Sequence, residues 1–145
     1  LCCIKIIGMK LEKDIVLYIL REVPDQHPFR LSRFLFLIDL EYLRRHGEKL
    51  TEFYYQLFPE AFFIEGFPQF LENIPEIEKQ VEYDEKGNPK RGFFRLVKDV
   101  EVELPPDVRE VVDAVLARYG QLPDQELNSV VVSSPEYRKF LEGDG

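Results

Sequence analysis

The chain has 145 residues, 45% hydrophobic and 32% charged, with a formal charge of −8. That length fits one domain with a single core, and the composition is globular rather than disordered. The acidic sum argues against a general phosphate-backbone binder, because its field repels polyanions, and no apolar run is long enough to span a bilayer.

The opening "LCCIKIIGMK" is too short for a signal-sequence apolar region and lacks a small-residue cleavage site. Residues 1–9 are read as an N-terminal extension or a short strand, and residues 10–145 as a single domain. Cys2 and Cys3 are neighbours without further cysteines, which makes neither a disulfide framework nor a zinc site. A reducing, cytoplasmic setting is the expectation.

A first helix is predicted over about 10–22, with Leu11, Ile15, Tyr18 and Ile19 as its inner stripe and Pro24 after its end. "PDQHP" (24–28) reads as a turn that contains His27. The central helix follows, over about 29–46. Leu31, Phe34, Leu35, Ile38 and Tyr42 share one face, while Phe36, Leu37 and Leu40 cover much of the rest. A helix apolar nearly all round is a buried one. Arg44, Arg45 and His46 suit the negative end of its dipole, and Gly47 suits the position just past it.

"TEFYYQLFPEAFF" (51–63) allows a short strand before Pro59. "FPQFLENI" (67–74) reads as a short helix with Pro68 in its first turn. Residues 79–98 form the best hairpin, with Val81 and Tyr83 alternating with charges and Gly87-Asn88-Pro89 at the turn. The clearest helical pattern runs over 104–120, where Val108, Val111, Val112, Val115, Leu116 and Tyr119 recur at helical spacing. Asp107 and Glu110 offer a capping pair and Gly120 a stop. A shorter helix is predicted from Pro123 to Val132 with Leu127, Val130 and Val131 inward. A last one is capped by Ser134, with Tyr137, Phe140 and Leu141 as its apolar side. The fold class is mainly α (α+β): a compact bundle around the buried central helix with a small antiparallel hairpin.

Catalytic and metal constellations are not visible. His27 and His46 lack a second ligand at metal spacing, no glycine-rich loop cradles a phosphate, and neither Ser nor Cys has a recognisable base. No catalytic residue, metal or cofactor is therefore assigned. Asp39 is the odd polar residue. Leu35 and Leu43 are its helical neighbours, so it needs a cation, backbone N–H groups from another segment, or solvent. A structural anchor is the preferred role, ahead of partner contact and of catalysis.

"FLIDLEYLRRHGEKLT" (36–51) resembles the start of the Panacea (SocA-like antitoxin) domain. Leu37, Asp39, Leu43, Arg44, Gly47, Leu50 and Thr51 follow the family pattern, and Tyr55 falls where the family has a Tyr. Asp39, Tyr42, Gly47 and Thr51 are taken as the structural motif. A charged hairpin, a long helix ending Arg-Tyr-Gly (118–120), "LPDQELNSVV" and "SSPEYRKF" extend the likeness over roughly 10–140. Phe58-Pro59 replaces the family's usual Gly-Pro, and Val130 and Val131 stand where many members carry a His. The resemblance implies a mainly helical domain that acts by protein–protein contact, typically an antitoxin encoded beside its toxin. Some relatives are adaptors for regulated proteolysis. No cofactor is implied.

Three functional classes follow. A binding module would occlude a cognate protein through exposed aromatic residues rimmed by charge, and an acidic binder suits a basic partner. Phe53, Tyr54, Tyr55, Phe58, Phe62, Phe63 and Phe67 are nominated as the docking residues; the competing role for this segment is to wrap the central helix as core. A nucleic-acid binder would use Lys90, Arg91 and Arg95, with Phe93 and Phe94 as stacking groups. A small carboxylate enzyme would use Asp39 or Glu65. Self-association through hairpin edges is a further possibility.

Overall fold

A computed structural model of the chain describes residues 9–144. The expectation for residues 1–9, Met9 apart, and that for the two cysteines lie outside the described residues. The elements in order are α1 (Lys10–Glu22), α2 (Pro28–His46), β1 (Tyr55–Leu57), β2 (Phe62–Ile64), α3 (Phe67–Glu72), β3 (Ile77–Tyr83), β4 (Pro89–Leu96), α4 (Pro106–Tyr119), α5 (Asp124–Val132) and α6 (Pro135–Lys139), followed by a wide turn over Phe140–Asp144. The fold is mainly α (α+β), with two separate two-stranded antiparallel sheets.

The central helix α2 is buried without interruption from Leu31 to Leu40. Its start is fixed by His27, which is more than a turn residue. The Nδ1 atom of His27 accepts the Phe29 N–H at 2.9 Å, and Pro28 occupies the first turn, where a missing N–H costs nothing. Burial and the nearby Arg91 guanidinium hold the imidazole below its ordinary pKa, which favours the neutral ring that this cap requires. The helix ends at Gly47, whose φ of 80° is the left-handed conformation that glycine adopts without strain, and the Gly47 N–H reaches the Leu43 carbonyl at 2.8 Å. Around α2 pack α4 and α5, and α1 contributes an unbroken buried run from Ile15 to Leu20. Truncating a fully buried side chain here, such as Leu35→Ala, costs about 2–5 kcal/mol.

Helix α4 buries Val108, Val111, Val112 and Val115, the faces its spacing predicts. Its cap differs from expectation. Asp107 and Glu110 do not form a capping box: Pro105 occupies the cap position with no side-chain acceptor, and Asp107 instead accepts the Tyr42 hydroxyl at 3.1 Å. Gly120 closes the helix in a right-handed conformation; a Cβ there would clash with the Leu116 carbonyl oxygen. On α5, Leu127 and Val131 are buried and Val130 only partly. Ser134 caps α6, its Oγ accepting the Tyr137 N–H at 3.3 Å. Tyr137 is fully buried, but Phe140 is 46% exposed, so it does not join the apolar side assigned to it.

Strands β3 and β4 pair from Ile77↔Leu96 to Tyr83↔Pro89, with an irregularity at Glu82/Tyr83. Asp84 organises the turn by accepting the N–H groups of Lys86 and Asn88, each at 2.9 Å. Phe94 ties this hairpin to the body by exchanging backbone hydrogen bonds with Gln26. Strand β1 has a partner that the sequence pattern leaves hidden: it pairs with β2 in the register Tyr55↔Ile64, Gln56↔Phe63, Leu57↔Phe62. The backbone bonds Glu65 N–H to Tyr54 O and Phe58 N–H to Ala61 O, both 3.0 Å, extend this second hairpin at each end.

Candidate functional site

Beneath the β1–β2 hairpin lies a buried polar anchor built on Asp39. Its Oδ1 accepts the Leu50 N–H at 3.0 Å and the Thr51 N–H at 2.8 Å. Its Oδ2 accepts the Thr51 hydroxyl at 2.6 Å and the Tyr55 hydroxyl. Lys49 stands 3.9 Å from Oδ2 and donates to the carbonyls of Thr51 and Phe53. A carboxylate 5% exposed on an apolar helix is thus held by donors from the segment that follows the helix, which is how a buried charge avoids a heavy desolvation cost. Burial, with Asp39 beside it, pushes the Tyr55 phenol well above its ordinary pKa, so it stays a donor. Asp39, Thr51 and Tyr55 converge; Tyr42 does not. It faces Asp107 and stacks on the His46 ring at 4.3 Å.

Glu12 adds a second buried carboxyl, 2% exposed. Its Oε2 accepts the Glu52 N–H at 2.7 Å, while Oε1 has no partner. Burial raises its pKa above 4.5, and the proximity of Glu52 and Asp39 acts in the same direction. Glu12 stands at helical spacing from Ile15, Val16 and Ile19, which places it on the buried face of α1.

The hairpin tip is held from the C-terminal helices. The Tyr137 hydroxyl reaches the carbonyls of Phe58 at 2.5 Å and Ala61 at 2.9 Å. Asn128 Nδ2 donates to the Glu60 carbonyl at 2.9 Å, and its Oδ1 accepts from Arg33 Nε and Nη2 at 3.0 and 2.9 Å. The Arg33 guanidinium is sandwiched between the rings of Phe29 and Phe62, 3.9 and 4.3 Å from their centroids. Burial brings its pKa down to about 10, so it remains charged at neutral pH, held by rings and an amide rather than a carboxylate. Phe36 fills the space between Tyr55, Phe62 and Tyr137 in edge and tilted contacts.

Alternation along the strands sorts the nominated aromatic residues. Phe53, Phe62 and Phe67 are 5%, 3% and 5% exposed: they are core and not docking residues, because Phe62 lies on the inner side of the hairpin against Phe36 of α2, while Phe53, ahead of β1, packs edge-on against Phe67 and Phe70 of α3. Tyr55 is half-buried on the inner side of the hairpin. The outer side presents Tyr54, Phe58 and Phe63, 64%, 51% and 51% exposed, with Phe58 and Phe63 stacked at 5.7 Å. A shallow depression of about 400 Å³ runs over Phe58–Phe63.

The basic hairpin is less free than its sequence suggests. Arg91 pairs with Asp124 at 2.5 Å and Arg95 with Asp25 at 2.9 Å, so two of the three nominated cations are already neutralised, and Lys90 is exposed at the strand start. Phe94 is 5% exposed and cannot stack a base, while Phe93 lies under Arg95. Glu65 is exposed across the sheet from Tyr54, apart from the Asp39 anchor. Among the described residues no three His, Cys, Asp or Glu side chains cluster as metal ligands, and no helix is long and apolar enough to cross a membrane.

Comparison of the chain with protein-family models, with curated proteins and with solved structures finds no match.

Proposed function

We propose that this chain is a protein-binding module of the antitoxin kind, acting in the cytoplasm, which silences a cognate partner by direct contact through the outer face of the β1–β2 hairpin. The observation that carries the reading is the exposure of three large aromatic side chains on one sheet face whose backbone is pinned from beneath by Asp39 and from the tip by Tyr137 and Asn128. Exposed contiguous apolar surface marks interaction sites, and aromatic residues on a rigid support are the usual anchors of interfaces. The resemblance of Asp39, Thr51 and Tyr55 to the Panacea pattern adds to it, since those three residues share one hydrogen-bonded task here. An adaptor that presents a bound partner for proteolysis would use the same face.

Co-expression of the tagged chain with the products of its flanking genes tests the proposal. The expected result is a neighbour that arrests growth alone, is silenced by a tight complex with this chain, and escapes it when Phe58 and Phe63 are both changed to Ala. If no neighbour binds and none is toxic, the antitoxin reading fails.

A further inference from the structure

We infer, building on the docking reading above, that the outer face of β1–β2 takes an extended basic segment of a partner protein, with Arg or Lys side chains laid on the rings of Tyr54, Phe63 and Phe58 and held by Glu65 and Glu60. Charge distribution is the first argument. From Leu50 to Glu78 the sequence contains several glutamates and no Lys, Arg or His. Glu52, Glu60 and Glu65 are exposed, and none of them is in an ion pair among the described residues. An acidic, aromatic face with no cation of its own complements a cationic one.

The chain's own packing supplies the second argument. Some of its rings elsewhere carry its own arginines: Arg21 lies over Tyr18 at 5.0 Å, Arg95 over Phe93 at 5.4 Å and Arg118 over Tyr119 at 5.4 Å; Tyr83 and Phe140 are exposed without one, but singly rather than in a row. Among the described residues no cation covers Tyr54, Phe58 or Phe63. Apart from the sides that Phe58 and Phe63 turn to each other, these rings offer the same negative π-face to a cation from outside.

Register supplies the third. Tyr54 and Glu65 are cross-strand neighbours, Phe63 is opposite Gln56, and Phe58 is opposite Ala61. Same-face positions repeat about every 6.6 Å along a strand, which puts the Tyr54 and Phe58 positions roughly 13 Å apart with Phe63 between them. An extended peptide repeats its side chains at the same period. Cations at alternate residues therefore fall on Tyr54, Phe63 and Phe58 in turn, with carboxylates at both ends of the row. A nucleic acid does not suit this face, because its phosphates would meet the glutamates. A second copy docked face to face does not either, since it would bring glutamates against glutamates.

The test is fluorescence anisotropy with a labelled peptide carrying arginine at three alternate positions between serines, against the same residues with the arginines contiguous. Phe58→Ala/Phe63→Ala keeps the charge and should weaken binding about tenfold, and Glu65→Gln about threefold. The control Glu82→Gln/Glu85→Gln removes two charges from the other hairpin and should change affinity less than about twofold. The alternate peptide should bind several-fold more tightly than the contiguous one. If the control weakens binding as much as the aromatic double variant, or if that variant binds like the parent, the peptide only follows net charge and the inference is overturned. Should Phe58→Ala/Phe63→Ala disrupt a flanking-gene complex that Glu65→Gln and added salt leave intact, docking stands and the basic-segment inference falls. Peptide binding that behaves as expected without any silenced neighbour upholds the inference and sinks only the antitoxin reading.

Discussion

The two hairpins of this molecule are built on opposite principles. β3–β4 is the longer, and most of its side chains face solvent; Ile77 and Phe94 are its buried members, and its turn is organised by Asp84 from within. β1–β2 has three residues per strand, too few to be stable alone. Yet it is gripped at every point: Asp39 and Lys49 at its approach, Phe36 and Arg33 beneath it, Tyr137 and Asn128 at its tip. Rigidity here comes from what a strand is tied to rather than from how many ladder bonds it makes. The tightly held hairpin shows a row of three aromatic rings to solvent, whereas the longer one shows mostly charges, with Tyr83 a lone exposed ring among them. A binding surface that is already ordered in the free protein loses less freedom on association.

Removing the anchor should break this contrast most severely. Asp39→Ala leaves the N–H groups of Leu50 and Thr51 and two hydroxyls without their acceptor, and should lower stability by about 3 kcal/mol, with a melting temperature lower by roughly 10 °C. An unchanged melting curve would mean that the hairpin is held by its aromatic underside alone. Tyr137→Phe removes the hydroxyl from the tip and should cost about 1–2 kcal/mol. Hydrogen exchange should then speed up over 58–63 and stay as it was over 77–96; equal acceleration in both would show general loosening instead.

Glu12→Gln sharpens the comparison through pH. A carboxyl raised by burial holds more protons in the folded state than in the unfolded one, so its contribution to stability falls as pH rises from about 4.5 through the raised value. The stability difference, variant minus parent, should therefore grow in favour of Glu12→Gln across that window and level off above it. Urea melts at several pH values measure this, and a difference independent of pH would mean that Glu12 titrates normally. Smallest of all, Arg95→Gln breaks an exposed ion pair with Asp25 on the long hairpin. No change in melting temperature should be resolvable, because such pairs are screened by solvent.

Much of the fold is legible in the residues alone. Apolar spacing locates α1, α2, α4 and α5 within a residue or two, since burial of one helical face leaves a periodic trace. Alternation around Gly87-Asn88-Pro89 locates β3–β4. The second hairpin is only half visible. Phe62–Ile64 is a run of three apolar residues with no polar alternation to announce a strand, and its outer member, Phe63, is as apolar as the inner ones. The docking residues stand in the sequence as one block for the same reason: strand alternation divides them, and only the register says that Tyr54, Phe58 and Phe63 are the outer set. The α4 cap escapes a local reading because Asp107 has a second suitor, Tyr42, from a helix far away in sequence.

What the sequence determined by itself is therefore the local grammar: which stretches are helical, where they stop, and that Asp39 must find donors from beyond its own helix. Tertiary structure alone decided which groups meet the polar side chains that end up inside. Glu12 and Arg33 stand among apolar helical neighbours, and their partners come from other segments: the first is closed in by the segment around Glu52, the second by Phe29, Phe62 and Asn128. Most of these partners lie tens of residues away, and no local pattern carries that information, because what meets a buried charge is a property of the assembled neighbours and not of the chain segment that bears it.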